Sequence, residues 1–144
     1  MSYELADAVS FLLSRIQSRI KNIFLKKLKQ YQITPEQWVL LARLSEQEGI
    51  SLTELSYVSL RDKPYTTRLI DKLADHKLIF KEESPDDRRS TLIYLTRQGA
   101  KMKEEIIPVA EEINEWLIAD MKKEEVEQLK SLLHKMYENI QSHN

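Results

Sequence analysis

Between residues 62 and 72 the chain sets Lys63, Tyr65, Thr67, Arg68 and Lys72 along one side of a helical stretch that opens with Asp62 and Pro64. Ammonium and guanidinium groups attract phosphate oxygens, and Arg can grip a guanine edge with two hydrogen bonds. The start of a helix adds free backbone N–H groups and a positive dipole end, which also favour anions. Further along, SPDDRR (84–89) ends in the pair Arg88 and Arg89. A hairpin tipped with arginine fits a DNA minor groove, where narrow A·T tracts favour Arg. Taken singly, each helix residue reads as a solvated face, and two arginines behind two aspartates read as self-paired surface charge. Taken together and in this order, they read as a recognition helix followed by a wing.

Positioning these groups requires a helix, a turn, a second helix and two short strands, and residues 51–99 carry that order. Ser51 or Thr53 caps a short helix with Leu52, Leu55 and Val58 as its apolar positions. A turn around Leu60 to Asp62 leads to the second helix, with Asp62 as N-cap, Pro64 in the first turn and Leu69, Ile70 and Leu73 facing inward. Leu78, Ile79 and Phe80 begin a strand, and Thr91 to Leu95 is the β-branched and aromatic return strand. The expected fold is therefore mainly α with a small β-hairpin wing, a winged helix-turn-helix.

Helices flank this module on both sides. Leu5, Val9, Leu12, Ile16, Ile20 and Ile23 recur at steps of three or four, predicting one helix over residues 3–31. At about 1.5 Å per residue it would be about 42 Å long, more than one domain's core needs, so part of its stripe should pack on another chain. In ITPEQWVLLARLSEQEG, Thr34 is the N-cap, Pro35 the first helical residue and Gln37 the partner of a capping box, with Gly49 as the stop. Trp38 reads as core or, more sharply, as a stacking platform for an aromatic effector. Thr96 caps a helix carrying Met102, Ile106, Val109, Ile113 and Trp116, with Pro108 inside it as an expected bend. After Asp120, Val126, Leu129, Leu133, Met136 and Ile140 repeat at a 3.5-residue period, the pattern of a helix–helix seam. Three apolar stripes around a small module predict an intertwined dimer, within a single domain over residues 1–144. Residues 32–99 form its DNA-binding lobe, and residues 1–31 and 100–144 its helical dimerisation region.

The 144 residues carry a net charge of −1, which hides a segregation: +4 over residues 1–31, −2 over 32–50, +3 over 51–103 and −6 over 104–144. Local field, not total charge, draws phosphate. The absence of cysteine excludes disulfides, thiolate metal sites and thiol redox sensing. No run of apolar residues is long enough for a membrane span, and the N-terminus has no secretory pattern, so a cytoplasmic protein without membrane contact is expected. His76, His134 and His143 show no ligand spacing with a carboxylate cluster. No glycine-rich phosphate loop or nucleophile–His–acid set is readable. The expectation is a non-enzyme without cofactor.

From Thr34 to Gly99 the sequence resembles the MarR family of bacterial transcription regulators. TPEQWVLLARL is similar to that family's second helix, LTELS to its third, DKPYTTRLIDKL to its recognition helix, and DDRRS with the following LT and Gly99 to its wing and fifth helix. The resemblance implies a homodimer that binds pseudo-palindromic promoter double-stranded DNA, usually as a repressor. It implies recognition helices in successive major grooves and wings in the flanking minor grooves. In many members a small, often phenolic, aromatic effector releases the DNA. It implies that Arg89 enters the minor groove and that Asp87, at the family's Asp-x-Arg motif, holds the wing through an ion pair. Thr67 and Arg68 match the family's Thr-Arg, and Ser51 the polar start of the preceding helix, a phosphate contact.

Three positions depart from the family pattern. Pro64 and Tyr65 replace small Ser or Thr residues, so Tyr65 is expected to reach a base or thymine methyl and Pro64 to lie against the DNA. Lys77 stands where a glycine usually ends the recognition helix, and Lys81 replaces a frequent arginine of the first wing strand. The effector cleft implied between dimer helices and DNA-binding lobe has Phe11, Arg15, Trp38, Leu41 and Ile113 as candidate liners. The alternative is a helical dimeric protein-interaction module that uses the winged fold only as a scaffold. Its motivation is the acidic C-terminal helices and the near-neutral total charge.

Overall fold

A computed structural model of the chain describes residues 2–44, 48–58, 62–86 and 90–143. The elements run α1 (Val9–Leu28), α2 (Pro35–Arg43), β1 (Ile50–Ser51), α3 (Leu52–Val58), α4 (Lys63–Asp75), β2 (Ile79–Glu83), β3 (Thr91–Leu95), α5 (Arg97–Leu117) and α6 (Lys123–Gln141). They fall into two compact units, Met1–Ala110 and Glu111–Asn144.

In the first unit the N-terminal helix is shorter than the sequence predicts. A 3-10 turn (Leu5–Asp7) comes first, and Ala8 is extended with ψ at 133° before α1 begins. The helix then runs 20 residues, about 30 Å. A second 3-10 turn (Lys29–Tyr31) follows, and Gln32 adopts a left-handed φ of 59°. The apolar residues recur at steps of three or four across these breaks, so spacing alone does not mark them.

The start of α2 is as the sequence predicts. The Gln37 N–H donates to Thr34 Oγ1 at 3.2 Å, and the Thr34 N–H donates to Gln37 Oε1 at 2.9 Å. Its end differs. The helix stops at Arg43, not at Gly49, because Leu44 turns extended and buries its side chain. The Leu44 carbonyl is taken by Lys103 Nζ of α5 at 2.9 Å. Gly49 serves another purpose: a Cβ there would lie 2.6 Å from the Tyr94 ring. On the other side of α2, Glu36 pairs with Lys21 of α1 at 3.0 Å, and Trp38 meets Phe24 edge to face at 6.4 Å.

The wing sheet has three antiparallel strands in the order β1-β3-β2, one more than the predicted hairpin. Ile50 pairs with Ile93 and Ser51 with Leu92. Ile79 lies opposite Leu95 and Phe80 opposite Tyr94. Alternation sends Ile79, Ile93 and Leu95 into the core. The same alternation leaves Phe80 and Tyr94 stacked on the other face, 5.1 Å apart.

Beyond the sheet, Thr96 caps α5 as expected, accepting from the Gly99 N–H at 3.0 Å, and its own hydroxyl donates to the Lys77 carbonyl at 2.7 Å. Gly99 is required there, since a Cβ would overlap the Leu78 carbonyl oxygen. This knot ties the end of α4, the sheet and α5 together. α5 continues through Pro108 as one helix, with Ile106 buried. In the second unit, α6 opens with Glu125 accepting from the Lys122 N–H at 2.9 Å. None of the residues of α6 is buried. Among the described residues, no helix is long and apolar enough to cross a membrane.

Candidate nucleic-acid interface

The supporting helix α3 is capped by Ser51, whose Oγ accepts from the Glu54 N–H at 3.0 Å, which settles the choice against Thr53. Leu55 is fully buried beneath it. Residues 59–61, where the turn is expected, lie outside the described residues, as does the side chain of Val58. The chain re-enters at Asp62, whose carboxylate accepts from the Tyr65 N–H at 2.8 Å, the predicted N-cap of α4.

The two sides of α4 then separate cleanly. Thr66, Ile70 and Leu73 are buried against the lobe, and Leu69 is half-buried. Lys63, Pro64, Arg68 and Lys72 are exposed, with Tyr65 and Thr67 partly so. The structure thus gathers every helix residue predicted for DNA contact onto one outward face. Three of their side chains are already engaged, those of Tyr65, Thr67 and Arg68. The Arg68 guanidinium lies over the Tyr65 ring, 5.6 Å from its centroid. The Thr67 hydroxyl donates to the Lys63 carbonyl at 2.8 Å. Thr66 Oγ1 is buried and finds no partner among the described residues, a feature the sequence reading did not single out.

At its other end α4 closes with a two-bond left-handed cap. The Leu78 N–H donates to Leu73 at 3.0 Å and the Lys77 N–H to Ala74 at 2.9 Å. Lys77 sits at φ 62°, the conformation anticipated for a residue standing in a glycine's place. An ion pair from Lys81 of β2 to Asp71 of α4 joins the recognition helix to the wing strand. Lys81 therefore keeps a carboxylate partner within the lobe. Asp71 was missed by the sequence reading, since ten residues and a change of element separate the two.

The wing closes where the Ser84 N–H donates to the Ser90 carbonyl at 2.9 Å. Asp87, Arg88 and Arg89, the predicted wing contacts, lie outside the described residues. Of the effector candidates, Trp38 and Leu41 belong to the core of the first unit, Phe11 is half-buried and Arg15 exposed on α1. Ile113 is buried on α5. Among the described residues no three His, Asp or Glu side chains converge on a point.

The fold that carries this face is matched by known proteins. The family model described as MarR family covers residues 33–91, the lobe that runs from the capping box to the return strand. The S. aureus MepR–DNA complex superposes with a TM-score of 0.88 at 30% identity, over 92% of this chain and 98% of that one.

The chain belongs to the MarR family.

Two further matches extend over the helices outside the lobe. BpsR of Bordetella bronchiseptica, whose DNA binding is regulated by 6-hydroxynicotinic acid, has a TM-score of 0.87 at 29% identity, covering 95% of this chain and 98% of that one. The transcriptional repressor NicR of Pseudomonas putida is 27% identical over 137 residues, 95% of this chain and 87% of its own length. The MarR family match thus fixes the architecture as a winged helix-turn-helix of transcriptional regulators.

Proposed function

We propose that the protein is a homodimeric transcriptional repressor that binds pseudo-palindromic promoter DNA. The observation that carries this reading is the division of α4, with Thr66, Ile70 and Leu73 buried and Lys63, Tyr65, Thr67, Arg68 and Lys72 turned outward. One side anchors the helix and the other offers cationic and hydrogen-bonding groups to a major groove. Ser51 and Lys72 bind phosphates, Pro64 packs against the backbone, and Arg88 and Arg89 extend into the minor groove, with Asp87 holding the wing. The neighbours named above support DNA as the ligand, MepR as a DNA complex and NicR as a repressor.

The second copy is argued from exposed apolar surface. Val9, Leu13 and Ile16 of α1 and Leu129, Leu132, Leu133 and Ile140 of α6 are exposed, and a self-association surface would cover them. An aromatic acid is the effector class proposed, by analogy with the 6-hydroxynicotinic acid that acts on BpsR. Phe11, Arg15, Trp38 and Leu41 of the first unit remain its proposed surroundings. The effector acts only by favouring one half-site spacing of the dimer over another.

The test is binding to duplex DNA from upstream of the protein's own gene, against a scrambled duplex, over a salt series. Preference for the native duplex, with log affinity falling steeply in log salt, is the expected result. Arg89→Ala should lower that affinity and leave the dimer folded. Absence of duplex binding at low salt would overturn the reading in favour of the protein-interaction module.

A further inference from the structure

We propose that Tyr65 aims Arg68 at a guanine in the major groove, while Thr67 accepts a hydrogen bond from the amino group of an adenine or cytosine next to that guanine on the same strand. The proposal deepens the DNA-binding reading and rests on it. Tyr65 and Arg68 are three apart on α4, so their side chains lie on one face. The guanidinium carbon stands 5.6 Å from the ring centroid, inside cation–π range. The ring is itself fixed in the first turn, where the Tyr65 N–H is held by the Asp62 carboxylate at 2.8 Å. A long exposed side chain ordinarily loses rotamer freedom on meeting DNA, and a stacked one has lost part of it already. Stacking on a π face consumes no N–H donor. The planar fork of Arg68 keeps its donors for the two acceptors, O6 and N7, that only guanine offers side by side in the major groove.

Thr67 is constrained differently. Its one hydroxyl proton is given to the Lys63 carbonyl at 2.8 Å. What remains toward the groove is a pair of lone pairs and a methyl group. A phosphate or a base acceptor would need the proton that the helix already holds. An adenine N6 or cytosine N4 amino group brings its own proton and can bond without breaking the helix contact. Tyr65 is thus a positioning residue for Arg68, and Thr67 and Arg68 are the specificity residues.

The experiment is selection of bound duplexes from a pool with a randomised half-site, using the full chain and its variants. Wild type should enrich one guanine in each half-site, next to adenine or cytosine rather than guanine or thymine on the same strand. Tyr65→Phe, which keeps the ring, should retain both the preference and the affinity. Tyr65→Ala should bind the selected duplex about three-fold more weakly and lose guanine preference in the same ratio. Arg68→Ala should abolish that preference, and adding Tyr65→Ala to it should cost nothing more. A further loss in the double variant would make Tyr65 a direct DNA contact and overturn its positioning role, as would an unchanged preference in Tyr65→Ala. Thr67→Val should erase the amino-base preference and Thr67→Ser keep it. A loss with Thr67→Val that is equal for all sequences would mean a phosphate contact and overturn that assignment. If wild type enriches no sequence at all, the DNA-binding reading itself falls, and that outcome precedes any comparison of variants.

Discussion

In the winged lobe, Leu40, Leu41, Leu55, Ile70, Leu73 and Leu78 are each exposed by 1% or less. Along α6, Leu129 is 37% exposed, Leu133 40% and Ile140 67%. Both regions carry apolar residues at helical spacing, and only the narrower 3.5-residue period of α6 sets it apart in the sequence. An apolar stripe states that a face needs cover. Whether the cover comes from the same chain depends on the partners that the topology brings up to it. In the lobe, α2, α3, α4 and the sheet supply one another. On α6, the proposed dimer would supply it from a second copy.

The largest expected effect breaks this contrast from the α6 side. Leu129→Glu with Leu133→Glu should leave the lobe folded and dissociate the dimer. Each Leu withdrawn from an interface loses about 1.5 kcal/mol or more, and a symmetric interface loses it from both copies. Sedimentation velocity should then show monomer at concentrations where wild type is dimeric, with the lobe's near-ultraviolet circular dichroism retained. A dimer that survives would place the seam elsewhere. Inside the lobe, Gly99→Ala should destabilise by about 3 kcal/mol, because its Cβ would meet the backbone carbonyl of Leu78, which cannot move without breaking the cap of α5. Chemical denaturation measures this directly, and a loss well under 1 kcal/mol would contradict the packing.

Two substitutions should act in the opposite direction and sharpen the picture of a lobe that is well filled but not optimised. Thr66→Val removes a buried hydroxyl without a partner among the described residues and should stabilise by about 1 kcal/mol. If it destabilises instead, the hydroxyl has a partner in solution. Lys77→Gly relieves a side chain at φ 62° and should raise stability by about 1 kcal/mol or slightly less. The smallest effect is expected from Asp71→Asn. The pair with Lys81 is solvent-exposed, so its loss should cost under about 0.5 kcal/mol and shrink further in high salt.

The readable parts of the molecule share a physical property: they are decided within a few residues. Thr34 with Gln37, Ser51 ahead of α3, Asp62 with Tyr65 and Thr96 with Gly99 are all caps spanning three positions, and each was legible because donor and acceptor are neighbours in the chain. The polar and apolar faces of α4 were legible for the same reason. The parts that were not readable involve distant partners. The strand β1 is two residues long and exists only because Ile93 and Leu92 lie alongside. The end of α2 was placed at Gly49 because glycine is a good stop, whereas Leu44 ends it by burying its side chain and giving its carbonyl to Lys103, 59 residues away. The break at Ala8 left no trace in the periodicity.

By itself, then, the sequence determined where α2, α3, α4 and α5 begin, which face of each is apolar and which residues of α4 carry charge, because backbone capping and side-chain periodicity are local. Tertiary structure alone decided the three-stranded wing, the burial of the Thr66 hydroxyl, the Asp71–Lys81 tie and the engagement of Arg68 with Tyr65. The first three depend on which side chains meet after the chain has closed on itself. The last depends on rotamers that spacing permits but does not select.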